Sequence, residues 1–206
     1  IFVPETIGAI AYCAINKEIM KAIDIGLVIT TVGGPGSFGY KQSFEQMHPI
    51  NRIIETVLSE TGKGFLTYPF DIHGSDERQY SSQGIGINAA TICKDRYYEY
   101  KEYHSSLDNL DFTNGRQIKE SLDIYLELIK RLEVRKIYRN KMPSCEVMLS
   151  KHNLYPTKGG HQLPEMNERS EIDLLLWLAF LCNGRNSIDD IAHKLKVNSS
   201  CLYPIV

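Results

Sequence analysis

The run Ile25-Gly26-Leu27-Val28-Ile29-Thr30-Thr31-Val32 sets the fold class. It is continuous, rich in β-branched residues and free of polar alternation, the pattern of a strand buried on both faces. Such strands belong to sheets with helices packed against them, which predicts a layered α/β architecture. The run empties into Gly33-Gly34-Pro35-Gly36-Ser37-Phe38-Gly39-Tyr40-Lys41. That loop carries neither the GxGxxG nor the GKS/GKT signature of a phosphate loop. It reads either as the mobile rim of a cleft, with Tyr40 and Lys41 as substrate contacts, or as a plain surface loop.

Before the run, Ile1 to Val3 reads as the end of a core strand, stopped by Pro4, which cannot extend a ladder. Ile7, Ile10, Ala11, Ala14 and Ile15 then repeat at helical spacing as far as Asn16. Glu5 thus stands between a strand and a helix, where α/β folds gather ligands. It equally suits a first helical turn, whose dipole favours a carboxylate. After the run, residues 49–61 form an amphipathic helix stopped by Gly62 and Gly64. Phe65 to Phe70 reads as a strand ending in Asp71, His73 and Gly74-Ser75-Asp76-Glu77-Arg78-Gln79-Tyr80, either a site or a solvated loop with local ion pairs. Ile85 to Cys93 is a fourth strand. From Gly115 to Lys136 runs a long helix capped by Thr113 or Asn114, with Ile118, Leu122, Tyr125, Leu126, Ile129 and Leu132 as its apolar stripe. Strand and helix alternate four times. The expected fold is α/β, with a mixed, mainly parallel sheet covered by helices and a cleft along one edge.

Between the fourth strand and the long helix lies Tyr97 to Phe112, dense in aromatics and carboxylates and holding one histidine, His104. An imidazole on a loop with Asp108 and Asp111 nearby suits a metal ligand with oxygen partners behind it, although a lone histidine is also an ordinary polar residue.

After Pro143 the texture changes. The domains are expected at residues 1–143, then a connector over 144–167 rich in Pro156, Gly159, Gly160 and Pro164, then a helical winged-helix-like module over 168–206. His152 and His161 lie in the connector with no spacing that supports a metal role. In the module, residues 170–181 form an apolar helix carrying Trp177, the Asn183-Gly184-Arg185 segment turns, and Ser187 starts a short helix that precedes a third. Its basic residues are too few to argue for nucleic acid.

A formal net charge of −2 over 206 residues gives no broad electrostatic footprint for nucleic acid or anionic membrane. No apolar run reaches the roughly 20 residues of a spanning helix. The five scattered cysteines form no CxxC pair, which argues for a reducing, cytoplasmic setting. The chain opens without Met on what reads as a strand end, so it is read as a piece of a longer protein.

Pro4-Glu5-Thr6-Ile7-Gly8, Gly74-Ser75-Asp76-Glu77-Arg78-Gln79 and Tyr103-His104-Ser105-Ser106-Leu107-Asp108-Asn109-Leu110-Asp111, in that order, resemble the aminopeptidase-like proteins of unknown function that end in a winged helix. Some of those are labelled polysaccharide-biosynthesis proteins. The sequence is similar, more distantly, to the zinc-dependent aminopeptidases of the leucyl aminopeptidase and glutaminyl cyclase type. The resemblance implies a zinc exopeptidase-like fold, with Glu5 as general base and His104 as a zinc ligand supported by Asp108 and Asp111. It places Asp76, Glu77 and Arg78 at a substrate cleft, and the remaining ligands upstream of Ile1. Two departures count against a two-metal site. Thr6 stands where the peptidases carry a second glutamate, and Thr30-Thr31-Val32 stands where a strand should end near an aspartate. The expected activity is cleavage of a peptide or amide bond by one zinc ion. The alternative is a degenerate peptidase fold serving binding or assembly, linked to polysaccharide biosynthesis. No nucleic-acid or membrane partner is expected, and a homo-oligomer is compatible with the sequence.

Overall fold

Two short helices open the chain, α1 (Ile7–Ile15) and α2 (Lys17–Lys21), joined at Asn16. The computed structural model describes residues 1, 3–154 and 170–205, which fall into two units, Ile1–Glu133 and Val134–Val206. The first unit continues with β1 (Ile25–Ile29), β2 (Gly39–Lys41), α3 (Pro49–Glu60), β3 (Leu66–Tyr68), α4 (Glu77–Tyr80), β4 (Asn88–Cys93) and α5 (Gly115–Glu133). Its sheet has the order β1-β4-β2-β3. The β1–β4 and β2–β3 pairs run parallel, and β2 runs antiparallel to β4. The sheet is therefore mixed and mainly parallel, with helices packed against it.

Local chemistry explains the helix ends. At α3, Pro49 fills a first-turn position that needs no N–H, and the His48 side chain accepts the Ile50 N–H at 3.3 Å. At α5, Asn114 Oδ1 accepts the Gln117 N–H at 3.1 Å, so Asn114 is the cap. The rotation of α5 is set by Tyr125, whose buried hydroxyl lies 2.9 Å from the carbonyls of both Val28 and Ile92. That anchor turns Ser121, Ile124, Tyr125 and Leu128 inward. It leaves Ile118, Leu122, Leu126 and Ile129 of the expected stripe largely exposed. The core gathers Tyr40, Ile50, Ile54, Leu58, Ile92 and Leu128 between sheet and helices.

Three expectations about strands need correction. Ile1 and Val3 form no strand and Ile1 is exposed, because no ladder partner lies beside them among the described residues; Phe2 lies outside those residues. The run at Ile25 occupies an edge of the sheet, pairs only with β4 and is half-buried, with Ile29 63% exposed. The strand buried along its whole length is β4, since neighbours on both sides shield it. The glycine-rich stretch is no mobile rim at its far end: Gly39, Tyr40 and Lys41 form β2, deep in the sheet.

The second unit holds β5 (Ile137–Arg139), α6 (Glu171–Leu181), β6 (Asn183–Ser187) and α7 (Ile188–Leu195). Strand β5 precedes the expected boundary at 143 and pairs antiparallel with β6 inside this unit. Ser170 with Asp173 and Ser187 with Asp190 form capping boxes at the starts of α6 and α7. The Asn183-Gly184-Arg185 segment is the start of β6, with Gly184 at φ +82°. Where a third helix is expected, Asn198 caps a single 3-10 turn at Ser199–Cys201 and another follows at Tyr203–Ile205. Leu174, Leu178, Ile188, Ile191, Leu195 and Leu202 make the core of this unit. His161 and the turn formers Pro156, Gly159, Gly160 and Pro164 lie outside the described residues. No described helix is long and apolar enough to cross a membrane.

Candidate functional site at the end of strand β1

Glu5 lies in the turn before α1, next to Thr6 at φ +62°. A left-handed β-branched residue costs about 1–3 kcal/mol and persists only when its surroundings hold it. Here the hold comes from the Gly74-Ser75-Asp76 loop. The Thr6 N–H donates to Asp76 Oδ1 at 2.8 Å, and Ser75 Oγ donates to Glu5 Oε1 at 2.7 Å. Burial pushes the Asp76 carboxyl up, the negative charges of Glu5 and Glu77 add to this, and the Thr6 N–H opposes it. Glu5, Ser75 and Asp76 line a cavity of about 500 Å³ that runs along β1 as far as Thr30.

The loop owes its position to a buried polar knot. Lys41 Nζ lies 3.0 Å from Glu77 Oε1 and 3.0 Å from the Asp71 carbonyl, and also donates to the His73 carbonyl. Thr91 Oγ1 donates to Glu77 Oε2 at 3.1 Å, and the Tyr97 hydroxyl approaches Glu77 Oε1 at 3.4 Å. Lys41 and Glu77 are thus an internal ion pair rather than cleft residues, since each charge is stable inside only with the other beside it. Tyr40 is fully buried and bonds to Glu55. Arg78 donates through Nη1 to the Ile72 carbonyl at 3.2 Å and does not line the Glu5 cavity. Of the five residues expected at a substrate cleft, the structure brings only Asp76 to Glu5.

His104 sits at φ +55° and stacks on Tyr103, ring centroids 3.9 Å apart and planes 14° from parallel. Tyr103 packs edge-on against Tyr98 and Tyr100, and Tyr100 stacks on Phe112. The aromatic stretch is therefore a wall that carries the imidazole. Phe112 in turn presses on Gly34, where an added Cβ would meet its ring at 2.8 Å and collide with the Asp95 carboxylate; only glycine fits. Burial, then Tyr98 and Glu5, push the Tyr103 hydroxyl up, so the partner of His104 feels the Glu5 charge.

A cavity of about 330 Å³ joins His104 and Asp108 to Thr30, Thr31 and Asp95. Thr31 has φ +44°, a second strained β-branched residue at this place. Asp108 accepts from Thr113 Oγ1 at 3.3 Å, whereas Asp111 is exposed and does not line the cavity. Among the described residues neither carboxylate bonds to His104. Thr30 lines both cavities, so Glu5 and His104 stand on two sides of the C-terminal end of β1.

Zinc needs three or four His, Cys, Asp or Glu donors around one point. Asp95 and Asp108 line the same cavity as His104, yet no three such groups among the described residues come close enough around one point to hold a metal. These residues alone do not fit a zinc ion. Sequence reasoning missed Ser75 as the partner of Glu5, Tyr103 as the support of His104, and Thr30-Thr31 as the floor between them. The Gly-Ser-Asp motif signals the first. Nothing in a Thr-Thr pair announces a left-handed backbone.

The family profile described as a domain of unknown function (DUF4910) matches residues 1–135. A Clostridium acetobutylicum protein named for polysaccharide biosynthesis and an aminopeptidase-like domain is 36% identical over 194 residues, 94% of this chain and 44% of its own length. A crystal structure of a candidate peptidase from Clostridium acetobutylicum superposes with a TM-score of 0.64 at 32% identity, covering 98% of this chain and 44% of that one. A zinc aminopeptidase from Bacillus subtilis overlaps 62% of this chain and 33% of its own at 13% identity and a TM-score of 0.49. The chain thus spans less than half the length of the relatives it matches.

Proposed function

The chain belongs to the family of the domain of unknown function DUF4910, and because it is similar to a protein named for an aminopeptidase-like domain, we propose that the end of β1 forms part of a site that hydrolyses a peptide or small amide. The observation that carries this reading is the placement of Glu5 and His104 on either side of Thr30. Ligands of α/β sheets collect beyond the carboxyl ends of parallel strands, and β1 pairs parallel with β4. Ser75 holds Glu5 through Oε1, which leaves Oε2 to act. Glu5 takes a proton from the attacking water and returns it to the leaving amine, a role worth about 10²–10⁴ in rate. In this reading His104 is a zinc ligand that requires further donors from outside the described residues. The setting is cytoplasmic, with a link to polysaccharide biosynthesis taken from the name of the relative.

A second reading, a binding or assembly module on a peptidase fold, is favoured by Thr30-Thr31 at the strand end and by the missing donor group among the described residues. Metal analysis and an aminoacyl-anilide assay of the full-length protein separate the two. Stoichiometric zinc lost in His104→Ala, and cleavage reduced about 100-fold in Glu5→Gln with zinc retained, support the hydrolase. Wild-type protein with neither zinc nor cleavage supports the module.

A further inference from the structure

The Gly33 to Phe38 loop borders two cavities. That of His104 uses Gly33 and Gly34, and a separate one of about 350 Å³ uses Pro35, Gly36, Ser37 and Phe38. The second is polar, and its charged lining is Lys63, Lys94, Arg116 and Glu120. Lys94 is nearly sealed, with its side chain 3% exposed and its ammonium 4.9 Å from the centre of the Phe38 ring. Glu120 is shared. Its Oε1 takes Lys63 and its Oε2 takes Lys94, which also bonds Gln117. Arg116 has no carboxylate partner among the described residues. Three cations against one carboxylate leave a surplus of two positive charges lining an open cavity.

We propose that this cavity binds a phosphate monoester, whose dianion matches that surplus. Two ammonium groups fixed on one carboxylate, with a guanidinium beside them, present N–H donors to a tetrahedral oxyanion, and guanidinium groups bond phosphate oxygens in pairs. The mostly polar lining gives an apolar ligand little to bury against. The cavity is large enough for the phosphate and part of the group it esterifies. This site does not depend on the hydrolase reading, since none of its residues belongs to the Glu5 and His104 cluster.

The test is titration of the purified protein with inorganic phosphate, followed by phosphorus NMR and calorimetry, with sodium chloride at matched ionic strength as the control. Arg116 and Lys63 are both exposed, so Arg116→Ala and Lys63→Ala serve as variants, and thermal unfolding checks that each still folds. Saturable binding of phosphate, absent with chloride and weakened about tenfold in each variant, is the expected result. Equal responses to phosphate and chloride overturn the proposal. So does phosphate binding that is undiminished in folded Arg116→Ala.

Discussion

Lys41 looks, in the sequence, like the tip of a glycine loop reaching for a ligand, and it is instead among the most buried charges in the first unit. A three-residue strand is too short to leave a period, and the glycines around it carry the signature of a loop. Only the fold shows that Glu77, 36 residues away, meets it at 3.0 Å. Removing one member of a buried pair strands the other charge, at a cost of about 3–5 kcal/mol. Glu77→Ala should therefore lower the urea midpoint of the first unit sharply. The double variant Lys41→Met/Glu77→Leu should be less destabilised than Glu77→Ala alone, since no unpaired charge remains. Equal losses for the two would show that the knot acts through packing. The same knot positions the Ser75 and Asp76 loop, so Glu77→Ala should also disturb Glu5 without touching it.

The elements are tied together by charge as well as by burial. Glu120 on α5 takes Lys63 from the turn after α3 and Lys94 from the end of β4. Hydrogen bonds from Lys63 and then Lys94 hold its carboxyl down at about 2, against an ordinary 4.5. The folded value lies below the unfolded one, so the unfolded chain binds the proton more tightly. The stabilisation is fully present above about pH 4.5 and is lost as pH falls toward 2. Because Glu120 is partly exposed, solvent screening reduces it to on the order of 1 kcal/mol. Wild type and Glu120→Gln should differ in unfolding free energy near pH 6 and converge near pH 2; parallel pH profiles would count against the tie. The existence of α3 and α5 and the Asn114 cap are legible in the sequence, because periodicity and capping are local. The rotation of α5 is not, since it depends on Tyr125 reaching carbonyls 97 and 33 residues away.

In the molecule as a whole, much of the alternation of strand and helix is readable because the longer elements have a period, while strand order is not, because pairing joins distant segments. That is why Ile25 to Ile29 reads as an interior strand yet occupies an edge. The site shares this limit: Glu5, the Gly-Ser-Asp loop and His104 are each visible as motifs, but their meeting around Thr30 follows from the sheet. The edge also has a physical consequence. Among the described residues no strand pairs with the outer side of β1, an apolar run on which Ile29 is exposed. Ile7, Ile10, Ile15 and Ile19 on the two opening helices are exposed as well. An apolar strand edge of this kind recruits another strand, and in a pure sample the partner at hand is a second copy. Sedimentation of the 206-residue chain should show mass rising with concentration, and Ile29→Lys should shift it toward monomer by placing a charge on the edge. A wild-type chain that stays monomeric across that range would show the edge to be shielded in solution.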